Sequence, residues 1–122
     1  MTAPRDVEVE FEEVAADRGG QTASLVTNAR PQFYYLGHDW DCRVEIIALG
    51  ERDPRIGVRA FLGFGSPEEH VGRLRVGSPF LLRFGHRTVA FGVVTRLVDL
   101  ERSAREAATK RQAEREHRGA AT

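Results

Sequence analysis

The sequence predicts an all-β domain, a closed barrel or sandwich of short antiparallel strands, followed by a charged C-terminal tail. Three observations carry this reading. Apolar and polar residues alternate in short runs, glycine and proline punctuate those runs, and large apolar side chains cease after Leu100.

The elements follow in order. In "DVEVEFEEV", Val7, Val9 and Phe11 point one way and Glu8, Glu10 and Glu12 the other, the period-two pattern of a half-buried strand. "DRGGQT" reads as a loop. Pro31 pushes Arg30 towards an extended conformation, and "QFYYL" continues as a strand that Gly37 stops. Alternation sends Phe33 and Tyr35 inward and leaves Gln32 and Tyr34 on the opposite face. "LGHDWDC" is expected to be the exit turn of that strand. If "HDWDC" is extended, His38, Trp40 and Cys42 share one face and Asp39 and Asp41 the other. "RVEIIAL" is a further strand, and in "GVRAFLGF" Val58, Ala60, Leu62 and Phe64 share a face. "SPEEH" has a capping-box pattern for one helical turn, with Ser66 as cap, Pro67 at the first helical position and Glu69 three residues after the cap.

"FLLRFGHRTVAFGVVTRLVDL" reads as a hairpin turning at Gly85-His86, where a leading glycine fits a type II′ turn. On its return strand, Val89, Phe91, Val93 and Leu97 are expected to alternate with Thr88, Ala90, Gly92 and Arg96. Residues 5–100 thus form the barrel and 101–122 the tail. That tail carries six basic residues and four acidic ones, with helix propensity but no apolar stripe to bury, so it reads as a frayed helix or a disordered segment.

The 122-residue length suits one domain. Lysine plus arginine balances aspartate plus glutamate at 18 each, so overall charge draws the chain to neither nucleic acid nor membrane. Cys42 is the only cysteine, which excludes an internal disulfide. The acidic N-terminus does not read as a signal peptide, and no apolar run approaches the ~18 residues of a membrane span. The expected setting is cytoplasmic, without membrane contact.

Several chemistries are disfavoured. No glycine-rich loop precedes a Lys-Ser/Thr pair, and the sole lysine, Lys110, lies in the tail, so no nucleotide is expected to bind this chain alone. Ser66 lacks the spacing of a nucleophile elbow, and Pro67 has no N–H for an oxyanion. Asp39 and Asp41 need further oxygen ligands to hold a hard cation. His38 and Cys42 with His70 or His86 lack the paired spacing of a zinc site. The alternative for the two aspartates is pairing with turn backbone or Arg43, with Trp40 packed on the barrel. No enzyme activity, cofactor or metal is expected. Arg30, Phe33, Tyr34 and Tyr35 together suit base stacking, although strand aromatics more often fill a core.

"GGQTASLVTNARPQFYY" and "PFLLRFGHRTVAFGVVTRLVDL" resemble the C-terminal, third domain of bacterial elongation factor Tu. Gly19 and Gly20 match that family's G-G-R-H-T loop, and Arg30 to Tyr34 match its R-P-Q-F-Y strand. Phe80, Arg83, Gly85, Arg87, Thr88, Val89, Gly92, Val93 and Val94 match its last hairpin. The resemblance spans roughly Val7 to Leu100. It implies a six-stranded antiparallel Greek-key β-barrel of the translation-factor type, standing alone without the GTPase domain.

The resemblance also implies a non-catalytic binding module whose partners are a protein, tRNA-like RNA, or both. In the family this barrel contacts the T stem of aminoacyl-tRNA and packs on the GTPase domain and the exchange factor. Gln32 and Gly85 match positions used on tRNA. Gln21, Thr22, Ser66 and Phe84 replace the family's arginine, histidine, lysine and glutamate, so positive charge for phosphates is reduced. "HDWDC" and "SPEEHVGRL" depart from the family pattern and resemble segments of small stand-alone relatives, implying a partner of their own. The candidate contacting residues are therefore Gln32, Gly85, Arg30, Tyr34, His38, Asp39, Trp40, Asp41, His70 and Arg73. The alternative function is a protective or regulatory interaction protein outside translation that mimics the factor's surface.

Overall fold

The computed structural model describes residues 4–20 and 23–120. Six strands run in order: β1 (Val7–Glu13), β2 (Gln32–Tyr35), β3 (His38–Ala48), β4 (Ile56–Phe64), β5 (Pro79–Phe84) and β6 (Arg87–Leu97). They close a barrel of neighbours β1-β4-β3-β2-β5-β6, with β6 paired back to β1 and every pairing antiparallel. One helix, α1 (Leu100–Ala120), follows. Short 3-10 turns occupy Ala16–Arg18 and Pro67–Glu69.

The alternation predicted for β1, β2 and β4 holds. Val7, Val9, Phe11, Phe33, Tyr35, Val58, Ala60, Leu62 and Phe64 all face the core. Phe33 is central, stacked on Phe80 at 4.7 Å and edge-on to Phe64 at 5.1 Å. Bulges bend the strands enough to close the barrel. One falls at Gly57 (φ 77°), where Phe11 opposes Val58 but Glu12 opposes Ile56.

A second bulge corrects the expected phase of β6. Leu82 pairs with Ala90 and Arg83 with Thr88, leaving Val89 as the extra residue. Val89 and Ala90 therefore both point inward, and beyond them the alternation is reversed. Val94 is buried, whereas Phe91 and Val93 face out. A regular period-two reading cannot register the insertion.

"LGHDWDC" is also corrected. Its turn is only Leu36-Gly37, both with positive φ (48° and 82°), a pattern that fits a type I′ hairpin turn. His38–Cys42 instead opens β3, which runs through the predicted "RVEIIAL" segment. At "SPEEH" the helical turn is present, but Ser66 makes no side-chain cap, so the capping box is not formed.

The segment after the barrel is helical through Ala120, and its first turn is tied down. Leu100 and Ala104 pack on the barrel end. Ser103 Oγ donates to Asp6 Oδ1 (2.5 Å), and the Phe64 N–H donates to Asp6 Oδ2 (2.8 Å). The Asp6 backbone bonds Leu62 and Val98. Asp6 is fully buried, and burial raises its pKa. One carboxylate thus joins β1, β4 and α1. Further along, Arg111 pairs with Glu68 at 2.8 Å. The absence of an apolar stripe conceals this docking, because a polar tertiary contact carries it.

Gly92 lies where β6 presses on β1: a Cβ there would come 2.1 Å from Glu10 O and 2.7 Å from Phe11 Cβ. Gly92→Ala should lower unfolding stability by roughly 2–3 kcal/mol through forced overpacking, measured as a shift of the urea midpoint at constant slope. An unchanged midpoint contradicts the close approach.

Candidate interaction face

The outward residues of β3, β2, β5, β6 and β1 form one continuous surface. At its polar end, the Gln32 side-chain amide donates to Asp41 Oδ1 at 3.0 Å. Arg83 pairs with Asp39 at 3.6 Å and lies over the Tyr34 ring at 4.9 Å. Four predicted residues, Gln32, Tyr34, Asp39 and Asp41, are thereby brought together. The partner of Asp39 is Arg83 rather than the expected Arg43.

Tyr34 leads into an apolar row. By register Tyr34 is beside Leu81, Leu81 beside Phe91, Phe91 beside Glu12, and Glu12 beside Ile56. Pro79, Val93 and Glu10 form a parallel row. Together with Leu36 they line a shallow groove of about 740 Å³. Leu36 is 74 %, Ile56 50 %, Phe91 45 % and Val93 41 % exposed. Scattered exposed apolar residues are ordinary, whereas these form a contiguous set. Among the described residues, the carboxylates of Glu10 and Glu12 at the rim make no ion pair. Glu8, the next outward acid, is neutralised by Arg96 at 3.3 Å.

The remaining predicted residues separate. His38 is exposed at the start of β3, opposite Tyr35. Arg30 is exposed and lines a small hollow with Asp41, Cys42, Arg43 and Gly65. Arg73 is exposed in the turn after Pro67–Glu69. Gly85 (φ 59°) sits at the β5–β6 turn. Next to it, Arg18, His86, Arg87 and Phe84 line a second, shallow groove, and among the described residues Arg18 and Arg87 form no ion pair. These cations were not singled out in the sequence, since Arg18 reaches the hairpin only through the fold. Gln21 and Thr22 lie outside the described residues.

His70 is fully buried and so plays an architectural part rather than touching a partner. Its Nδ1 lies 2.5 Å from the Tyr35 hydroxyl. The rings of Phe64, Trp40 and Tyr35 enclose it at 4.3, 4.9 and 5.5 Å. Nε2 has no hydrogen-bond partner among the described residues. Burial lowers the His70 pKa to about 4, so the imidazole is neutral at pH 7. Trp40 is half-buried because it walls this site. Cys42 is buried, its Sγ–H donating to the Pro31 carbonyl at 3.3 Å, and burial pushes its thiol up to about 12. Among the described residues, no three of His, Cys, Asp and Glu gather to hold a metal ion. No described helix is long and apolar enough to cross a membrane.

Compared with models of known protein families and with curated protein sequences, the chain matches none.

Two outcomes are expected. Because His70 binds its proton more weakly folded than unfolded, its contribution to stability is full above pH 6.5 and falls between pH 6.5 and about 4, where the loss levels off. Its contribution is up to roughly 3 kcal/mol. Denaturant midpoints of wild type and His70→Phe across that range should converge as pH falls; parallel curves refute the assignment. Leu36 occupies a positive-φ site that suits Asn. Leu36→Asn should raise stability by about 0.5–1 kcal/mol, and a lower melting temperature would contradict the turn geometry.

Proposed function

We propose that this chain is a non-catalytic binding module, a stand-alone relative of the C-terminal barrel of elongation factor Tu. It holds a protein partner on the outer face of β2, β5, β6 and β1. The observation that carries this reading is the contiguous exposed set Leu36, Ile56, Phe91 and Val93, placed beside the ordered polar ladder of Gln32, Asp41, Arg83 and Asp39. Leu36 adds weight. A strained, left-handed leucine at the groove is unfavourable for folding, and such strain tends to be kept where it serves contact.

Support for the kinship comes from the closed six-strand order. Strands β2, β3 and β4 are successive neighbours and β1 lies beside β4, an order that supports reading the barrel as the Greek-key type the family resemblance implies. A barrel of this type supplies a rigid surface rather than a function of its own. The face is proposed to act in the cytoplasm.

The second reading is RNA binding at the other groove, favoured by Arg18 and Arg87 beside Gly85, which form no ion pair among the described residues. Few cations gather there, so phosphate contacts supply modest affinity.

The test is capture from lysate of the native cells by tagged wild type and by Phe91→Ser/Val93→Ser, each with and without ribonuclease. A defined protein retained by wild type, indifferent to ribonuclease and absent from the variant is expected. Capture of tRNA alone, abolished by ribonuclease and by Arg18→Ala/Arg87→Ala, contradicts the protein reading and supports the second.

A further inference from the structure

We infer that the occupant of the apolar groove is an amphipathic helix of a partner protein, apolar on one face and lysine- or arginine-rich along one flank. The inference rests on the reading of this barrel as a protein-binding module. Three constraints lead to it.

First, the barrel is closed, so each of its six strands has a neighbour on both sides. A partner cannot bind by adding a strand and must be recognised through side chains. The row Tyr34–Leu81–Phe91–Glu12–Ile56 crosses β2, β5, β6, β1 and β4. Five strands at about 4.8 Å spacing make a strip of about 19 Å. About 13 helical residues cover that length. A helix laid in an apolar groove is the recognition mode this shape fits.

Second, the apolar contacts alone are too weak to define the complex. Covering four exposed side chains removes only a modest apolar area from water. Ordering costs offset part of that gain. Charge must add affinity and register.

Third, the charge on offer is negative. Glu12 lies between Phe91 and Ile56, and Glu10 beside Val93. Arg59 is the register neighbour of Glu10 but makes no ion pair with it, and Arg83 is already neutralised by Asp39. A basic flank on the helix pairs with Glu10 and Glu12 as its apolar face covers Phe91, Val93 and Leu36. A second copy of this chain is a poorer fit. An isologous pairing centred on this acidic rim brings Glu10 and Glu12 of each copy together.

The experiment uses two 16-residue helical peptides as probes, one with leucines on one face and lysines on the flanks, the other with glutamates replacing the lysines. Fluorescence anisotropy at 0.15 M salt is read with the full chain. The lysine peptide should bind at least tenfold more tightly than the glutamate peptide. Glu10→Gln/Glu12→Gln should weaken it about five- to tenfold, and Phe91→Ser should abolish binding. These positions are on the surface, and circular dichroism checks that each variant keeps its fold. Equal binding of both peptides, binding of neither, or no effect of Glu10→Gln/Glu12→Gln overturns the inference. So does a dimer in sedimentation equilibrium that Phe91→Ser dissolves, which assigns the face to a second copy. If both peptides fail while lysate capture still depends on Phe91 and Val93, the helix inference alone falls. If capture ignores those residues too, the binding-module reading falls with it.

Discussion

The extra residue at Val89 is the constraint on which the surface of this barrel depends. It lets Val89 and Ala90 point inward in succession and so reverses the phase of β6. Without it, Phe91 and Val93 would occupy the interior and the outer face would present Ala90, Gly92 and Val94. Gly92 works with the bulge, since its missing side chain lets β6 approach β1 closely enough for closure. A barrel seam and an apolar exterior thus arise from one local irregularity. A strand slip there has a large effect because side-chain direction has a period of two.

Two buried polar centres tie other parts of the fold together. Asp6 accepts from Ser103 and Phe64, and His70 meets Tyr35 inside an aromatic cage. Both lie where chain segments distant in sequence converge. Each is costly to bury and therefore specifies one arrangement when satisfied. Asp6 and the Arg111–Glu68 pair dock a helix that is polar over most of its surface. The candidate face lies on a closed barrel with a packed core, which favours a preformed recognition surface over one assembled on binding.

Much of the fold was legible. Alternation placed the cores of β1, β2 and β4, and Gly85-His86 marked the last hairpin. What escaped had tertiary causes. The bulge at Val89 carries no composition signal. "HDWDC" looked like a turn because its charged residues and glycine neighbour suggest one, yet Leu36-Gly37 turns the chain and Asp39 and Asp41 find partners on adjacent strands. The docking of α1 depends on Ser103 meeting Asp6 across 97 residues of sequence. Of the candidate face, Gln32, Tyr34, Asp39 and Asp41 were identified from the sequence. Leu36, Leu81, Phe91, Val93 and the acids Glu10 and Glu12 were not, because they belong to one turn and three strands that only the fold brings side by side.

The claim at the centre is that the outer face of β2, β5, β6 and β1 is where a partner sits. Amide and methyl chemical-shift mapping of the labelled chain during titration with its captured partner tests that location directly. Shifts concentrated at Leu36, Leu81, Phe91 and Val93, with little change at Arg18 and Arg87, are the predicted result. Shifts confined to Arg18, His86 and Arg87, or to the exposed half of α1, would contradict it.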